Sequence, residues 1–216
     1  MSNREKKYKK WNKYKIGDVS FIETRKNYPH RKMFVDYVVK NFDSVIEIGP
    51  GEMLEYADVK ELKPTINYTI VDVSSLFLEN CVKKYSEVKV IQSPIEELEL
   101  NDQFDIVYAS SVLEHMKNIK KALNNMIKLA NNFYFVMFKW NYEGDLKSTY
   151  IKRKKYWSSS FNIWMLLDHI KSIANIEECC LVKTDTGEKI DFEKYSVGLS
   201  GPHRTADYLV IQGKKI

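Results

Sequence analysis

Three short stretches of this 216-residue chain combine residue types and spacings suited to chemistry. The first is Val45-Ile46-Glu47-Ile48-Gly49-Pro50-Gly51, an apolar run ending in a glycine turn. Glycines directly after a buried strand permit close backbone approach of a ligand, and a helix starting there points its free N–H groups at it. The second is Asp72, at the end of another apolar run, where a carboxylate can accept both hydroxyls of a ribose. The third is Glu114-His115, downstream of Phe104-Asp105-Ile106-Val107. An unperturbed imidazole titrates near pH ~6.5, which suits proton abstraction around neutrality. Glu114 can orient that ring or bind an acceptor hydroxyl; alternatively, the pair only stabilises its loop. A dinucleotide fingerprint would need a further glycine where Leu54 stands, so nicotinamide redox chemistry is disfavoured.

These stretches need a scaffold that brings them together. Apolar periodicity and Pro29 in a first turn predict a helix from about Pro29 to Asn41. Strands are predicted at Ser44–Ile48, Tyr68–Asp72, Val88–Ile91, Phe104–Ala109 and Phe133–Phe138. Helices fall between them at roughly 53–62, from a cap at Ser75 to about Tyr85, and at 118–130. Residues 141–157 read as a polar connection, Ser158 to Ser160 as the cap of a helix reaching about Ile173, and two last strands lie near 176–183 and 206–212. A polar loop of about twenty residues separates them, long enough to suggest a role. This alternation predicts an α/β fold with a mostly parallel sheet. Ligands of such sheets sit at the carboxyl ends of the strands. One domain, 28–216, is expected, preceded by a basic arm over 1–27.

Glu47-x-Gly49-x-Gly51, Asp72, and Phe104-Asp105-Ile106-Val107 leading to Val112-Leu113-Glu114-His115 resemble, in this order, the class I S-adenosylmethionine-dependent methyltransferases. The likeness spans roughly residues 30–140, and is nearest to the small-molecule group whose fourth motif ends in Leu-Glu-His. It implies a Rossmann-like seven-stranded sheet with helices on both faces and an antiparallel last strand. It implies S-adenosyl-L-methionine as methyl donor. By this resemblance Glu47 lies beneath the donor's methionine part, and Gly49 and Gly51 line the donor. Asp72 binds the ribose and Val73 packs on adenine. The loop Ser93 to Glu96, with Ile95, surrounds the adenine, and Ser110 faces the methionine moiety. Two positions depart from the family pattern. Met53 replaces the third glycine, and Ser93-Pro94-Ile95 lacks the acidic residue that often meets the adenine amino group.

A sulfonium methyl is already activated, so alignment of the acceptor does most of the work. An alkyl hydroxyl also needs a base or a metal, for which His115 is the candidate base. Acceptor recognition is expected outside the donor core. Its candidates are Tyr28, His30 and Arg31, the segment Lys139-Trp140-Asn141, the 141–157 connection, and the turn Gly198 to His203. The acceptor is expected to be a hydroxyl or amine of a small molecule such as a saccharide or glycan precursor.

Charge keeps a second reading open. The net charge is +5, yet residues 1–32 carry eleven Lys/Arg and three Asp/Glu, so this segment is +8 and the rest −3. With Lys152-Arg153-Lys154-Lys155, the aromatic, basic arm could hold RNA; a solvated terminus is the bland alternative. A non-catalytic donor-binding protein of the same fold is a third reading. No Cys/His group has zinc spacing, so no metal is expected. Three cysteines without a pairing pattern fit a cytoplasmic protein, with Cys179 and Cys180 packing on opposite faces of a strand. No apolar run approaches a membrane span.

Overall fold

The structure is a computed structural model that describes residues 27–138, 140–142, 146–151, 156–192, 202–203 and 208–216. The arm up to residue 26, Lys139, the basic run 152–155 and most of the Gly198 to His203 turn lie outside the described residues.

Helix α1 (Pro29–Asn41) starts on a proline whose missing N–H falls in the first turn, where helix donors have no partner in any case. Strand β1 (Ser44–Ile48) follows, and then α2 (Leu54–Leu62), β2 (Asn67–Asp72), α3 (Ser75–Lys84) and β3 (Lys89–Gln92). The chain then crosses to β4 (Phe104–Ser110), α4 (Ile119–Leu129) and β5 (Ala130–Met137). Beyond these come β6 (Trp140–Asn141), the hairpin strands β7 (Lys147–Ile151) and β8 (Tyr156–Ser160), and α5 (Ile163–Lys171). The last strands are β9 (Ala174–Val182), β10 (Lys189–Asp191), β11 (Pro202–His203) and β12 (Tyr208–Lys215).

The main sheet has eight strands in the order β10-β9-β12-β5-β4-β1-β2-β3. Its half from β5 to β3 is parallel, and β12 runs antiparallel between β5 and β9. The seventh-strand expectation is met by β12; the eighth strand, β10, is a three-residue edge addition formed by the hairpin after β9. The switch in direction of winding lies between β1 and β4. Their carboxyl ends therefore open a crevice where a ligand can enter.

Alternation along the strands sorts the core into two layers. Ile46, Ile48, Val107 and Ala109 pack under α4 and α5. Val45, Ile106 and Tyr108 face α1, α2 and α3. The vicinal cysteines obey the same rule. Cys180 lies in the second layer and Cys179 against the first.

Two caps differ from expectation. Ser74, not Ser75, caps α3, its hydroxyl accepting the Phe77 N–H at 3.3 Å. Ser158 to Ser160 end β8 and pair with β7, and α5 is capped by Asn162 instead. The Asn162 carboxamide oxygen accepts the N–H of both Trp164 (3.0 Å) and Met165 (3.2 Å). The polar connection expected over 141–157 takes part in two antiparallel pairings, β6 with β11 and β7 with β8.

Candidate active site

The glycine turn leaves β1 with its backbone in the left-handed region at Gly49 (φ +68°), Gly51 (φ +55°) and Met53 (φ +56°). Each glycine has its own reason. A Cβ on Gly49 would lie 2.7 Å from a Val112 methyl, so the chain leaving β4 occupies the side-chain space of residue 49. A Cβ on Gly51 would meet nothing within 4 Å. That residue borders a cleft of about 310 Å³ shared with Met53, Phe77, Asn80 and Lys84. The turn is pinned by Gly49 N–H on Val71 O (2.8 Å) and Met53 N–H on Pro50 O (3.0 Å). Met53 pays about 1–2 kcal/mol for its left-handed backbone. It offsets this by burying its side chain, 2% exposed, in the layer beneath α1–α3.

Asp72 ends β2 beside this turn. Its Oδ1 accepts the Ser74 N–H at 2.8 Å. Desolvation raises its pKa to about 6, and the N–H groups of Ser74 and Val73 only partly offset that. Its carbonyl accepts the Ser93 N–H at 3.1 Å, which brings the loop after β3 to the same end of the sheet. The Ser93 hydroxyl donates to Pro94 O (3.1 Å), and Ile95 is buried at the start of a short 3-10 turn. Glu96 then ties this loop to the one after β4, accepting the N–H of Lys117 (2.9 Å) and Asn118 (3.3 Å). Ser110 is the last residue of β4, and Ser111 turns away with φ +56°.

Glu47 faces the α1–α3 side of the sheet and is 2% exposed. Its Oε2 accepts the Tyr68 hydroxyl at 2.9 Å. Burial holds its carboxyl well above the ordinary range, and Glu55 adds to the effect; the Tyr68 hydrogen bond and Arg31 act the other way. Arg31, buried at the start of α1, donates from Nε to Glu55 Oε1 (3.1 Å) and from Nη2 to Asp58 (3.2 Å). Tyr108 of β4 donates its hydroxyl to the same Glu55 oxygen at 3.2 Å. Sequence reading missed this cluster. Its partners are 24 and 53 residues apart, and no local pattern announces such contacts.

On the other side of the crevice, Leu113–His115 forms a 3-10 turn against which β8 packs. Glu114 is buried, and its Oε1 accepts the Phe138 N–H at 3.1 Å, joining the exits of β4 and β5. His115 is half-buried in the same turn. Phe138 is 42% exposed and was not singled out from sequence. Of the expected acceptor residues, Tyr28 and His30 form a ring cluster with Tyr208, the His30 and Tyr208 centroids lying 3.9 Å apart. Arg31 is committed to Glu55 and Asp58. Trp140 is buried, its ring edge-on to Phe192. Arg31 and Trp140 are thus buried rather than set on an open surface. Among the described residues there is no His/Cys/Asp/Glu group able to hold a metal ion. Burial pushes the thiols of Cys81 and Cys180 up to about 12, so neither is a ready nucleophile.

Residues 46–132, from β1 to β5, match the family described as "Methyltransferase domain". Over that span the chain is similar to methyltransferase domains. Solved methyltransferases share the fold. The 1,6-didemethyltoxoflavin-N1-methyltransferase of Burkholderia thailandensis, bound to 1,6-didemethyltoxoflavin and S-adenosylhomocysteine, is 16% identical with a TM-score of 0.62, over 92% of this chain and 81% of that one. An O-methyltransferase from a multienzyme of Brevibacillus brevis, in complex with S-adenosylhomocysteine, is 12% identical with a TM-score of 0.64, over 100% and 80%. The N-methyltransferase NodS of Bradyrhizobium japonicum, also with S-adenosylhomocysteine, is 13% identical with a TM-score of 0.59, over 99% of both chains. No curated protein matches the chain by sequence. Among the described residues, no helix is long and apolar enough to cross a membrane.

Proposed function

We propose that this methyltransferase acts on a hydroxyl or amine of a small molecule, a saccharide or glycan precursor being the acceptor class that suits it. The observation that carries the small-molecule reading is the cover over the acceptor side. Strand β8 packs on the Leu113–His115 turn, and β6 with β11 adds a second strand pair downstream of β5. Next to these elements Phe138, at the exit of β5, leaves its ring partly exposed. Stacking on aromatic faces suits a sugar ring or a heterocycle. The similar structures named above include both N- and O-methyltransferases, in line with either acceptor atom.

The donor fits the residues at the crevice. Open space beside Gly51 and the left-handed turn form a cradle that a Cβ would intrude upon. In this reading Gly49 and Gly51 line the donor, while Asp72 accepts its ribose hydroxyls. Val73 and Ile95 flank the adenine with Ser93, and Ser110 faces the methionine part. Glu47 supports that part from beneath the turn. When bound, S-adenosylmethionine supplies an electrophilic methyl on a sulfonium sulfur. The chain's task is then to orient the acceptor and remove its proton. His115 takes the proton from the acceptor atom, and Glu114 positions the β5 exit so that the acceptor meets Phe138. Tyr28, His30 and Trp140 are the remaining candidates for contact with the acceptor, while Arg31 acts through Glu55 and Asp58.

The test is a pH–rate profile of wild type and His115→Ala with a panel of hydroxyl and amine acceptors. Loss of the lower limb in the variant supports the base. An unchanged profile assigns His115 to the loop alone. Methylation of RNA in preference to every small acceptor would overturn the small-molecule reading.

A further inference from the structure

Three elements that shape the donor crevice meet at one buried oxygen. Glu55 Oε1 accepts Arg31 Nε (3.1 Å) from the first turn of α1 and the Tyr108 hydroxyl (3.2 Å) from β4. Glu55 itself lies in the first turn of α2, two residues after the strained Met53 that ends the glycine turn. Arg31 also reaches Asp58 one turn further along α2, so its guanidinium spans two turns of that helix. Tyr108 is held flat against Phe34 of α1, ring centroids 3.6 Å apart and 12° from parallel. Two residues beyond Tyr108 stands Ser110, and then Val112 fills the space beside Gly49.

We infer that Arg31, Glu55 and Tyr108 form a brace that positions the glycine turn for the donor. These residues do not touch the donor; they are positioning residues. The physical reason is the left-handed backbone of Met53. A non-glycine residue in that region persists only where its surroundings over-determine it. The brace anchors the helix start directly after Met53 to β4 on one side and to α1 on the other. Relaxing it lets the turn drift from the shape in which Gly49 and Gly51 line the donor. A planar guanidinium suits the task because it can hold Glu55 and Asp58 in one fixed geometry, which a lysine ammonium cannot.

This rests on the donor reading above, and one experiment separates the two. S-Adenosylhomocysteine is titrated calorimetrically into the full chain, into Tyr108→Phe and Arg31→Lys, and into Val38→Ala as a control that trims the α1 core. All are measured well below their melting temperatures. Tyr108→Phe and Arg31→Lys are expected to weaken binding about 5-fold, the size of coupling typical of a packed network. Val38→Ala is expected to lower the melting temperature with no change in affinity. Wild-type affinity in Tyr108→Phe and Arg31→Lys overturns the brace alone, as does an equal loss in Val38→Ala. No binding by the unsubstituted chain overturns the donor reading and the brace together.

Discussion

The two sides of the crevice are built differently. The side proposed for the donor is made of short local devices at strand ends: a turn of a few residues after β1, and one carboxylate at the end of β2. The side proposed for the acceptor is held together by tertiary contacts between segments. Glu114 reaches Phe138, Trp140 meets Phe192, and β6 pairs with β11. Backbone geometry therefore dominates the first and tertiary contacts the second. A substitution on the donor side should act on donor affinity through the backbone or through charge. One on the acceptor side should act on turnover and acceptor KM, leaving the donor constant in place.

The largest expected effect is at Gly49. Its left-handed φ and the 2.7 Å approach of Val112 to a would-be Cβ both oppose any side chain. Gly49→Ala should destabilise the fold by about 3 kcal/mol and abolish measurable donor binding, as read by denaturant melts and calorimetry. Next is Glu114→Ala, which removes the acceptor of the part-buried Phe138 N–H. A loss of about 2 kcal/mol is expected, with turnover reduced and donor affinity kept. Equal loss of donor affinity would erase the distinction between the two sides.

Asp72 supplies a pH test of intermediate size. With its pKa raised to about 6, its neutral form is favoured in the donor-free fold. This contribution to stability is full below the ordinary carboxylate range and is lost as pH rises through about 6. Ribose binding needs the ionised form, so donor affinity should fall as pH drops below about 6. Asp72→Asn should remove the affinity dependence and reduce that of stability, to which Glu47 still contributes, in titrations and melts taken from pH 5 to 8. The smallest effect is expected at Gly51, where the same backbone strain acts without a clash. Gly51→Ala should cost about 1 kcal/mol of stability, and its Cβ should intrude on the donor alone.

The same contrast explains what the sequence could tell. The parallel core was legible because its apolar runs have the length and punctuation of buried strands. The observed β1 and α1 coincide with the expected Ser44–Ile48 and Pro29–Asn41. The glycine turn and Asp72 were legible because local backbone demands fix residue type. Beyond Trp140 the helix and the last two long strands stand close to where they were expected, but a cap and the connection before them differ. Ser158 to Ser160 looked like a cap because serine favours caps, yet pairing with β7 took them into a strand. Arg31 looked like a recognition residue because it is basic and near a terminus. The structure pairs it with Glu55 and Asp58, contacts that follow only from how α1 lies on α2.

The central claim, a donor site centred on Asp72 and the glycine turn, is tested most directly by calorimetric titration of S-adenosylhomocysteine at pH 8 into wild type and Asp72→Ala. The account predicts one site in the wild type and affinity at least about tenfold weaker in the variant, the size of one lost charge-assisted hydrogen bond or more. Equal affinity in the two proteins would contradict it.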